Sequence, residues 1–566
     1  MTNRSIAQHL EETAALIELT DGNPFRARAM RRAARTLRDL DAPVTDRIED
    51  GTLTDLSGIG KGLAQDIQDL ASTGSFAGRE ELLEAVPAGL LDVLRVKGLG
   101  TEKVRRLWTE LDITSLDELE AAATAGHVTD LDGFGPKTQS TIIEQVRLLR
   151  SYDARHRYDE AMRATEPLVD ALRADSELGR VAYAGAVRRA LPTVSSADLL
   201  VSGDVDRARS VLEEHAASVA PHDDADAVRL DGTLSNDLLV RLWVVSPDRF
   251  GTELWRRTGS DAHCEAFVAR HGPPAEHAAE TTVYDAANLP FIPPELREGQ
   301  DELEAAAENR LPSLLTLDDL QGSLHNHSTY SDGKHSIREM AEAARELGFS
   351  YFGLCDHSQS LTIANGLTPE EVRQQQADVE ALNDELAQSG DAPFRIFHGI
   401  ESDILADGSL DYDDELLADL DLVVASVHSR FNMTEDEATE RIVRAVRHPH
   451  TTILGHPTGR LLLAREGYAI DHERVIAACA EHGVALELNA NPQRLDLDWR
   501  WVRPAIEQGV LISINPDAHA TGELRHVRWG VAVARKGWLT ADQCLNAKSL
   551  ADFEAWLDQR RLRSAA

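Results

Sequence analysis

Between positions 325 and 519 the sequence places nine imidazole and carboxylate groups at or just after the ends of short apolar runs. His325 and His327 come as HNH and Asp332 follows in SDG. His357 then stands in CDHS, Glu401 in HGIE, His428 in SVHS, His456 in GHP, and Asp517 with His519 in DAH. Neutral imidazole and carboxylate suit zinc, manganese or iron, and nine such groups exceed what one ion can use. The pattern therefore implies two or three divalent ions, manganese or zinc with iron also suited, sharing a bridging carboxylate. Adjacent ions can bind one water, lower its pKa to near neutrality and clamp the phosphate whose bond it attacks. A lone histidine is more often a hydrogen-bonded structural group, and His335, His398 and His482, outside the strand-end pattern, are read that way.

Such groups need a scaffold that delivers them to one rim. The runs YFGLCDH, FRIFHGIE, LDLVVASVH, TTILGHP, ALELNA and LISINPDAH alternate with helical patterns over residues 312–566. Strand and helix in alternation imply a parallel β/α barrel, whose site lies at the C-terminal ends of its strands. Arg460 in HPTGR and Arg494 in NPQRLD are the basic residues nearest in sequence to ligand-bearing ends. Either could hold a substrate phosphate through its planar fork, and either could equally be a surface ion pair.

Residues 1–150 have helical periodicity interrupted by three related turns, LSGIGKGLAQDI, VKGLGTEKVRRL and LDGFGPKTQSTI. Each carries hydrophobe-x-Gly-hydrophobe-Gly at a helix start: Gly58 and Gly60, Gly98 and Gly100, Gly133 and Gly135, with Lys61 and Lys137 following the first and third. Glycine lets the backbone approach a partner closely, and the free N–H groups of the following helix suit a phosphate oxygen. This is the pattern of a helix-hairpin-helix motif, which grips the DNA backbone without reading sequence. A Gly-rich turn used only for packing is the plain alternative for one copy, and three copies favour DNA. Residues 151–311 change to an α+β texture, with VAYAGAV, ADLLVSG and DLLVRLWVV as strands and a Pro-containing connector at Pro290, Pro293 and Pro294.

The 566-residue chain has a formal charge of -38. A net acidic surface ordinarily repels nucleic acid. Here the acidic residues are spread along the whole chain, a pattern that suits a halophilic protein in a salt-loaded cytoplasm, where the Debye length shrinks to roughly 3 Å and local contacts decide binding. The four cysteines form no CxxC pair, and no apolar run reaches the roughly 18 residues of a membrane span. A cytoplasmic protein with no membrane partner is expected.

The segments HNHSTYSDG, CDHSQS, GIESDILADGSLDY, SVHSRFNMT, GHPTGRLL, ELNANPQRLDL and DAHATGEL resemble the polymerase and histidinol phosphatase (PHP) domain, in the version fused to family X DNA polymerases of bacteria and archaea. The resemblance implies a distorted (β/α)7 barrel with a trinuclear site. In it His325, His327, Glu401 and Asp517 hold one ion, Glu401 bridges to a second held by His428 and His456, and Asp332, His357 and His519 hold the third. Asp517, His325 and Glu401, with Arg460 and Arg494 on the phosphate, are the catalytic candidates.

The middle is similar to the family X palm, where GSxRR leads to a DxD strand. Here GAVRR, with Gly185 and Arg189, is followed by SAD, in which Ser196 precedes a lone Asp198. The third family carboxylate falls on Arg241, Ala186 replaces a small hydroxyl, and Arg256 with Arg257 replaces an aromatic pair. One carboxylate cannot bridge two magnesium ions, so magnesium in the palm is expected only if polymerase activity survives. Asp204 and Asp237 are the substitutes if the alignment slips. At the family's Schiff-base lysine position stands Asp66.

The fold class expected is thus multidomain: an all-α helix-hairpin-helix region at 1–150, 8-kDa-like and fingers-like, a degenerate α+β nucleotidyltransferase-like palm and thumb at 151–311, and a PHP barrel at 312–566. By resemblance it acts in DNA repair, in base excision, as a manganese-stimulated 3′→5′ exonuclease, with 3′-phosphatase or abasic-site endonuclease activity also in its range. Its partner is DNA: gapped, nicked or 3′-ended duplex, or a single strand. Competing readings are a gap-filling polymerase with a proofreading barrel, a non-catalytic DNA scaffold and a small-molecule phosphatase.

Overall fold

The structure, a computed structural model, describes residues 1, 3–38, 40, 43–223, 227–388 and 393–564. Two compact units result, Met1–Ala154 and Arg155–Ala566. The palm-like segment and the barrel belong to one unit, so the division expected at 311/312 does not separate compact bodies.

In Met1–Ala154 the regular elements are all helical. Ile6, Leu10, Met30, Leu37, Ile67 and Leu70 bury in one apolar cluster, and Val93, Val104, Leu107, Ile142 and Val146 in another. The three sequence repeats are backbone repeats. Gly58, Gly98 and Gly133 have φ of +81°, +88° and +81°, a region that disfavours any side chain. Gly60, Gly100 and Gly135 then cap the helices Lys61–Thr73, Thr101–Leu111 and Pro136–Asp153 with φ of -86°, -84° and -88°. Between the glycines, Ile59, Leu99 and Phe134 are buried and pin each turn.

Arg155–Ala566 begins with a five-stranded sheet in the order Leu178–Ala184, Ser196–Gly203, Leu239–Val245, Val228–Thr233, Ser218–Asp223. Ser196–Gly203 and Leu239–Val245 run parallel, and the other neighbours antiparallel. The helix Tyr158–Ala174 packs on the sheet through Ala161, Leu168 and Leu172.

Seven parallel strands follow, each paired to the next in sequence: Gly322–Ser323, Tyr351–Leu354, Arg395–Asp403, Leu422–Ser426, Ile453–Leu454, Ala485–Asn489 and Ile512–Asn515. The first and last meet through the Asn326–Ala518 bridge, where the His327 N–H donates to Ala518 O at 2.9 Å. Asn546 stitches the same seam, accepting from Ile514 N at 2.7 Å and donating to Gly322 O at 3.1 Å. The barrel is therefore nearly closed.

Strand alternation sorts its side chains by period two. In Leu422–Ser426, Leu422 and Val424 join the interior cluster while Val423 and Ala425 meet the surrounding helices. Phe397 lies low in the interior, and Glu401, four residues on, returns to the same face at the top. The C-terminal helix Leu550–Ser564 plugs the bottom: Phe553 stacks on Tyr351 with ring centroids 5.0 Å apart and meets Phe397 edge-on at 4.9 Å. An apolar base and a polar rim result.

Candidate metal centre

All nine strand-end groups converge at that rim, and Glu401, 1% exposed, is the hub. Its Oε1 lies 3.0 Å from His456 Nε2, 3.3 Å from His428 Nε2 and 3.4 Å from His325 Nε2. Its Oε2 lies 2.8 Å from His357 Nδ1 and 3.7 Å from His327 Nε2. Asp517 Oδ1 is 3.1 Å from His327 Nε2. Asp332 Oδ1 is 3.3 Å from His519 Nε2 and 3.5 Å from His357 Nε2, so the His357 ring spans from Glu401 to Asp332. Ligand atoms lie within 4.8 Å of one another in three groups: His327, Asp332, His357, His519; His325, His327, Asp517; and His357, Glu401, His428.

A second layer aims these rings. His325 Nδ1 meets Glu487 at 2.7 Å, His428 Nδ1 meets Asp403 at 2.6 Å and His519 Nδ1 meets Asp517 O at 3.0 Å, which leaves each Nε2 pointing inward. Glu487 is fully buried and also accepts from His456 N at 2.6 Å and Asn515 Nδ2 at 2.9 Å. Beneath His357, buried Asp356 accepts from Ser328, Ser331 and Gln375, and Gln375 in turn meets His398 at 3.0 Å. Asp517 holds φ at +52°, the kind of strained backbone that persists where surrounding contacts fix it.

Sequence reading missed Glu487, Asp403 and Asp356. Their signal was present: each is a polar residue inside or just beyond an apolar strand. His398 stays structural, and its burial pushes it down to about 4.

The donor set fits divalent cations. His325 Nε2, Glu401 Oε2 and the Nδ1 atoms of His327, His357 and His456 are buried without a hydrogen-bond partner, which is costly unless something else satisfies them. In the metal-free chain, the neighbouring His428 and His519 hold their protons more firmly. Burial opposes charge on His428, but Glu401 and Asp403 outweigh it and raise it to about 10. His519 rises to about 9, because Asp332 and Asp517 outweigh burial. Burial, with His519 and His357 alongside, drives His327 down to about 3. Burial alone would raise the Glu401 carboxyl, yet His428, His325 and His357 hold it well below the usual carboxylate range.

The sign of the pH effect follows. A raised imidazole stabilises the fold fully below its unfolded value, near 6.5, and that contribution is lost as pH climbs through about 9 and 10. Metal binding must expel the same protons, so affinity rises over the same window. We predict that chelator-treated protein melts at progressively lower temperature from pH 7 to 10 while manganese-loaded protein does not. Thermal unfolding with and without chelator checks this, and parallel curves would refute it.

The two arginines part company. Arg460 spends its guanidinium internally, on Arg494 O at 3.0 Å, Asp498 at 2.7 Å and Leu495 O. Arg494 Nε lies 3.7 Å from Asp517 Oδ2, and its buried Nη1 has no protein partner among the described residues.

In the palm, Asp198 and Arg241 are register partners on adjacent strands, with Arg241 Nη1 3.9 Å from Asp198 Oδ1. Burial raises the Asp198 carboxyl, opposed by Arg241. Its Oδ2 would lie only 2.2 Å from a Cβ at Gly185. Ser196 is buried beside Leu239. Arg189 is committed to Glu298 at 2.8 Å and Thr258 O at 2.6 Å, and the barrel's Lys536 pairs with the same Glu298. Asp204 caps the helix Val205–Glu213 and Asp237 holds a left-handed turn at φ +62°, so neither stands in for the missing carboxylates. Asp66 pairs with Arg26 at 3.5 Å.

At the helix-hairpin-helix turns, a Cβ at Gly60, Gly100 or Gly135 would meet nothing within 4 Å. Neither packing nor φ requires glycine there; beyond the helix cap each forms, glycine leaves the turn open to the close approach of an outside partner. Lys61 and Lys137 are exposed at the same helix starts. Gly100→Ala is expected to shift stability by no more than about 1 kcal/mol, the scale of a helix cap, while weakening duplex DNA binding several-fold. Melting and anisotropy titrations on one preparation test this; unchanged affinity would count against a DNA contact at that turn.

The seven-stranded barrel with its rim of histidines and carboxylates is a PHP domain, and residues 323–491 match the model of that family. Residues 1–76 match a helix-hairpin-helix domain, and residues 90–148 a SAM-like helix-hairpin-helix tandem. The chain is 37% identical over 578 aligned residues to the DNA polymerase/3′-5′ exonuclease PolX of Bacillus subtilis, covering 98% of this chain and 99% of that one. It belongs to the PolX family. The chain is also 29% identical over 161 residues to a probable phosphatase of Thermoanaerobacter sp., 27% of this chain and 63% of the relative, and 26% identical over 209 residues to a probable phosphatase of Acetivibrio thermocellus, 35% and 80%. No helix among the described residues is long and apolar enough to cross a membrane.

Proposed function

We propose that this chain is a DNA phosphoesterase of repair, acting as a 3′→5′ exonuclease through its barrel, with nucleotide addition lost from its palm. The convergence of nine ligand side chains around Glu401 carries the reading. His325, His327, Glu401 and Asp517 would hold one ion, His428 and His456 with Glu401 a second, and Asp332, His357 and His519 a third. Manganese or zinc suits that donor set, and such ions supply an activated water and charge neutralisation at the phosphate.

The protein's own groups do the rest. Glu487, Asp403 and the Asp517 carbonyl hold His325, His428 and His519 with Nε2 inward. Arg494, rather than Arg460, donates its unpartnered Nη1 to a phosphate oxygen, because Arg460 already holds the loop that carries Arg494. The three turns in Met1–Ala154 grip backbone phosphates.

Gapped or nicked duplex and single strands with a 3′ end are the substrates proposed, within base excision repair in a salt-rich cytoplasm; 3′-phosphate removal and abasic-site incision are further reactions the same site could support. The Bacillus subtilis relative's name includes polymerase activity. Against a gap-filling reading stand Ser196 and the Asp198–Arg241 pair. An end-labelled gapped duplex incubated in high salt with manganese, with and without nucleotides, tests the proposal. Shortening without extension supports it, and an intact primer or an extended one rejects it.

A further inference from the structure

A groove of about 840 Å3 is built from the loops that leave two of the ligand-bearing strands. Ala406 and Asp407 form one lip, just beyond the strand Arg395–Asp403 that carries Glu401. Arg430 and Met433 form the other, directly after His428. The wall between them is the helix Glu435–Val446, whose Arg441 and Arg444, with Arg447 just past its end, line the groove.

The acidic residues of this wall are already engaged. Glu437 closes a capping box with Thr434 at 2.9 Å, Glu440 pairs with Arg474, and Asp407 accepts from Ser409 at 2.7 Å. Arg441 is turned inward and donates to Ile404 O, Leu405 O and Ser429 O, tying the two lips together. Arg444 is exposed, donates Nη1 to Asp407 O at 2.8 Å and pairs with the Asp407 carboxylate at 3.4 Å, so its other nitrogens are what it can offer a ligand. Arg430 and Arg447 are exposed and have no protein partner among the described residues. On a chain of net charge -38, this leaves Arg430 and Arg447 without an ion-pair partner among the described residues, in a groove formed by loops that leave two ligand-bearing strands. Arg447 alone would be explained by the helix C-terminus. Arg430 follows a strand, not a helix end, and the helix dipole does not account for it.

We infer that this groove holds the backbone phosphates of single-stranded DNA just upstream of the 3′ end at the metal-ligand cluster, an inference that rests on the nuclease reading above. The guanidinium forks of Arg430, Arg444 and Arg447 take phosphate oxygens. Half-buried Met433 offers sugar and base faces an adaptable apolar contact. The volume of the groove falls within the ~300–1,000 Å3 of typical sites.

The test uses the full chain with labelled (dT)6 carrying one 4-thiothymidine three nucleotides upstream of the 3′ end. In EDTA, anisotropy of the Arg430→Ala/Arg447→Ala protein should show weaker binding and a slope of log affinity on log salt smaller by ~1.4, at ~0.7 per single-strand phosphate contact. Arg338→Ala, on an exposed pair with Glu385, should match the parent. Photocrosslinking of the parent should label a peptide within residues 404–447. In manganese, the double variant should raise KM for the oligonucleotide by more than it lowers kcat. An unchanged salt slope, or a crosslink only outside that peptide, overturns the groove. A parent protein that binds and crosslinks there but cleaves no DNA overturns the nuclease reading instead.

Discussion

Exchange of Glu401 for alanine should abolish DNA hydrolysis, by on the order of 10⁴-fold or more, equivalent to about 5.5 kcal/mol of lost barrier reduction. No other side chain at the rim reaches five histidines, with ring nitrogens of His325, His327, His357, His428 and His456 all within 3.7 Å of its carboxylate. Removing it takes away the carboxylate that faces all five of these rings. It also leaves buried imidazolium without a counter-charge, a loss of about 3–5 kcal/mol of stability in metal-free protein. A fall in activity could then reflect unfolding. Glu401→Gln keeps the volume and Asp517→Ala removes a ligand at the edge of the cluster, so the three variants are measured together for cleavage, melting temperature and bound metal. Folded protein with reduced metal content and no cleavage is the expected result. Cleavage at the parental rate by folded Glu401→Gln and Asp517→Ala would place the active site elsewhere.

The second prediction concerns the palm: on the reading proposed above, Ser196→Asp alone should give no nucleotide addition. A DxD pair works by holding two magnesium ions, and the guanidinium of Arg241 lies 3.9 Å from Asp198, where it repels any cation placed there. Removing that charge is the prerequisite, so Ser196→Asp/Arg241→Asp should bind manganese in the palm while either single variant does not. Full extension activity needs more, because Arg189 is held by Glu298 and Thr258 O rather than facing a triphosphate. Metal titration on a background that lacks Asp517 isolates the palm, and primer extension follows on the same proteins. Extension by the parent chain or by Ser196→Asp would mean that Arg241 swings clear and that the palm is still an enzyme.

Much of this molecule is legible in its sequence for identifiable reasons. Each barrel strand is an apolar run that meets water only at its end, so ligand-bearing residues stand out at the boundary. The turns at Gly58, Gly98 and Gly133 repeat because each solves the same backbone problem. Glu487 was hidden by its setting. It looks like one polar residue among leucines, and only barrel closure brings it against His325, 162 positions away. Alternation held the clue, since Glu487 and Asn489 share a face that Leu486 and Leu488 do not. Arg460 misled for the opposite reason: closeness in sequence to His456 says nothing about which carbonyls claim its donors. Across the palm, neither Asp198 nor Arg241 reveals its partner until strand register sets them side by side.

Glu298 ties the two halves of the larger unit together. One carboxylate receives Arg189 from the palm and Lys536 from the barrel, with Lys536 so buried that it is lowered to about 8. Arg535 adds Glu295 at 2.7 Å, and Arg503 adds Asp301 at 2.8 Å. Here the sheet that would house nucleotide addition is fastened to the barrel by these charge pairs, so the two are expected to move as one piece rather than hinge apart.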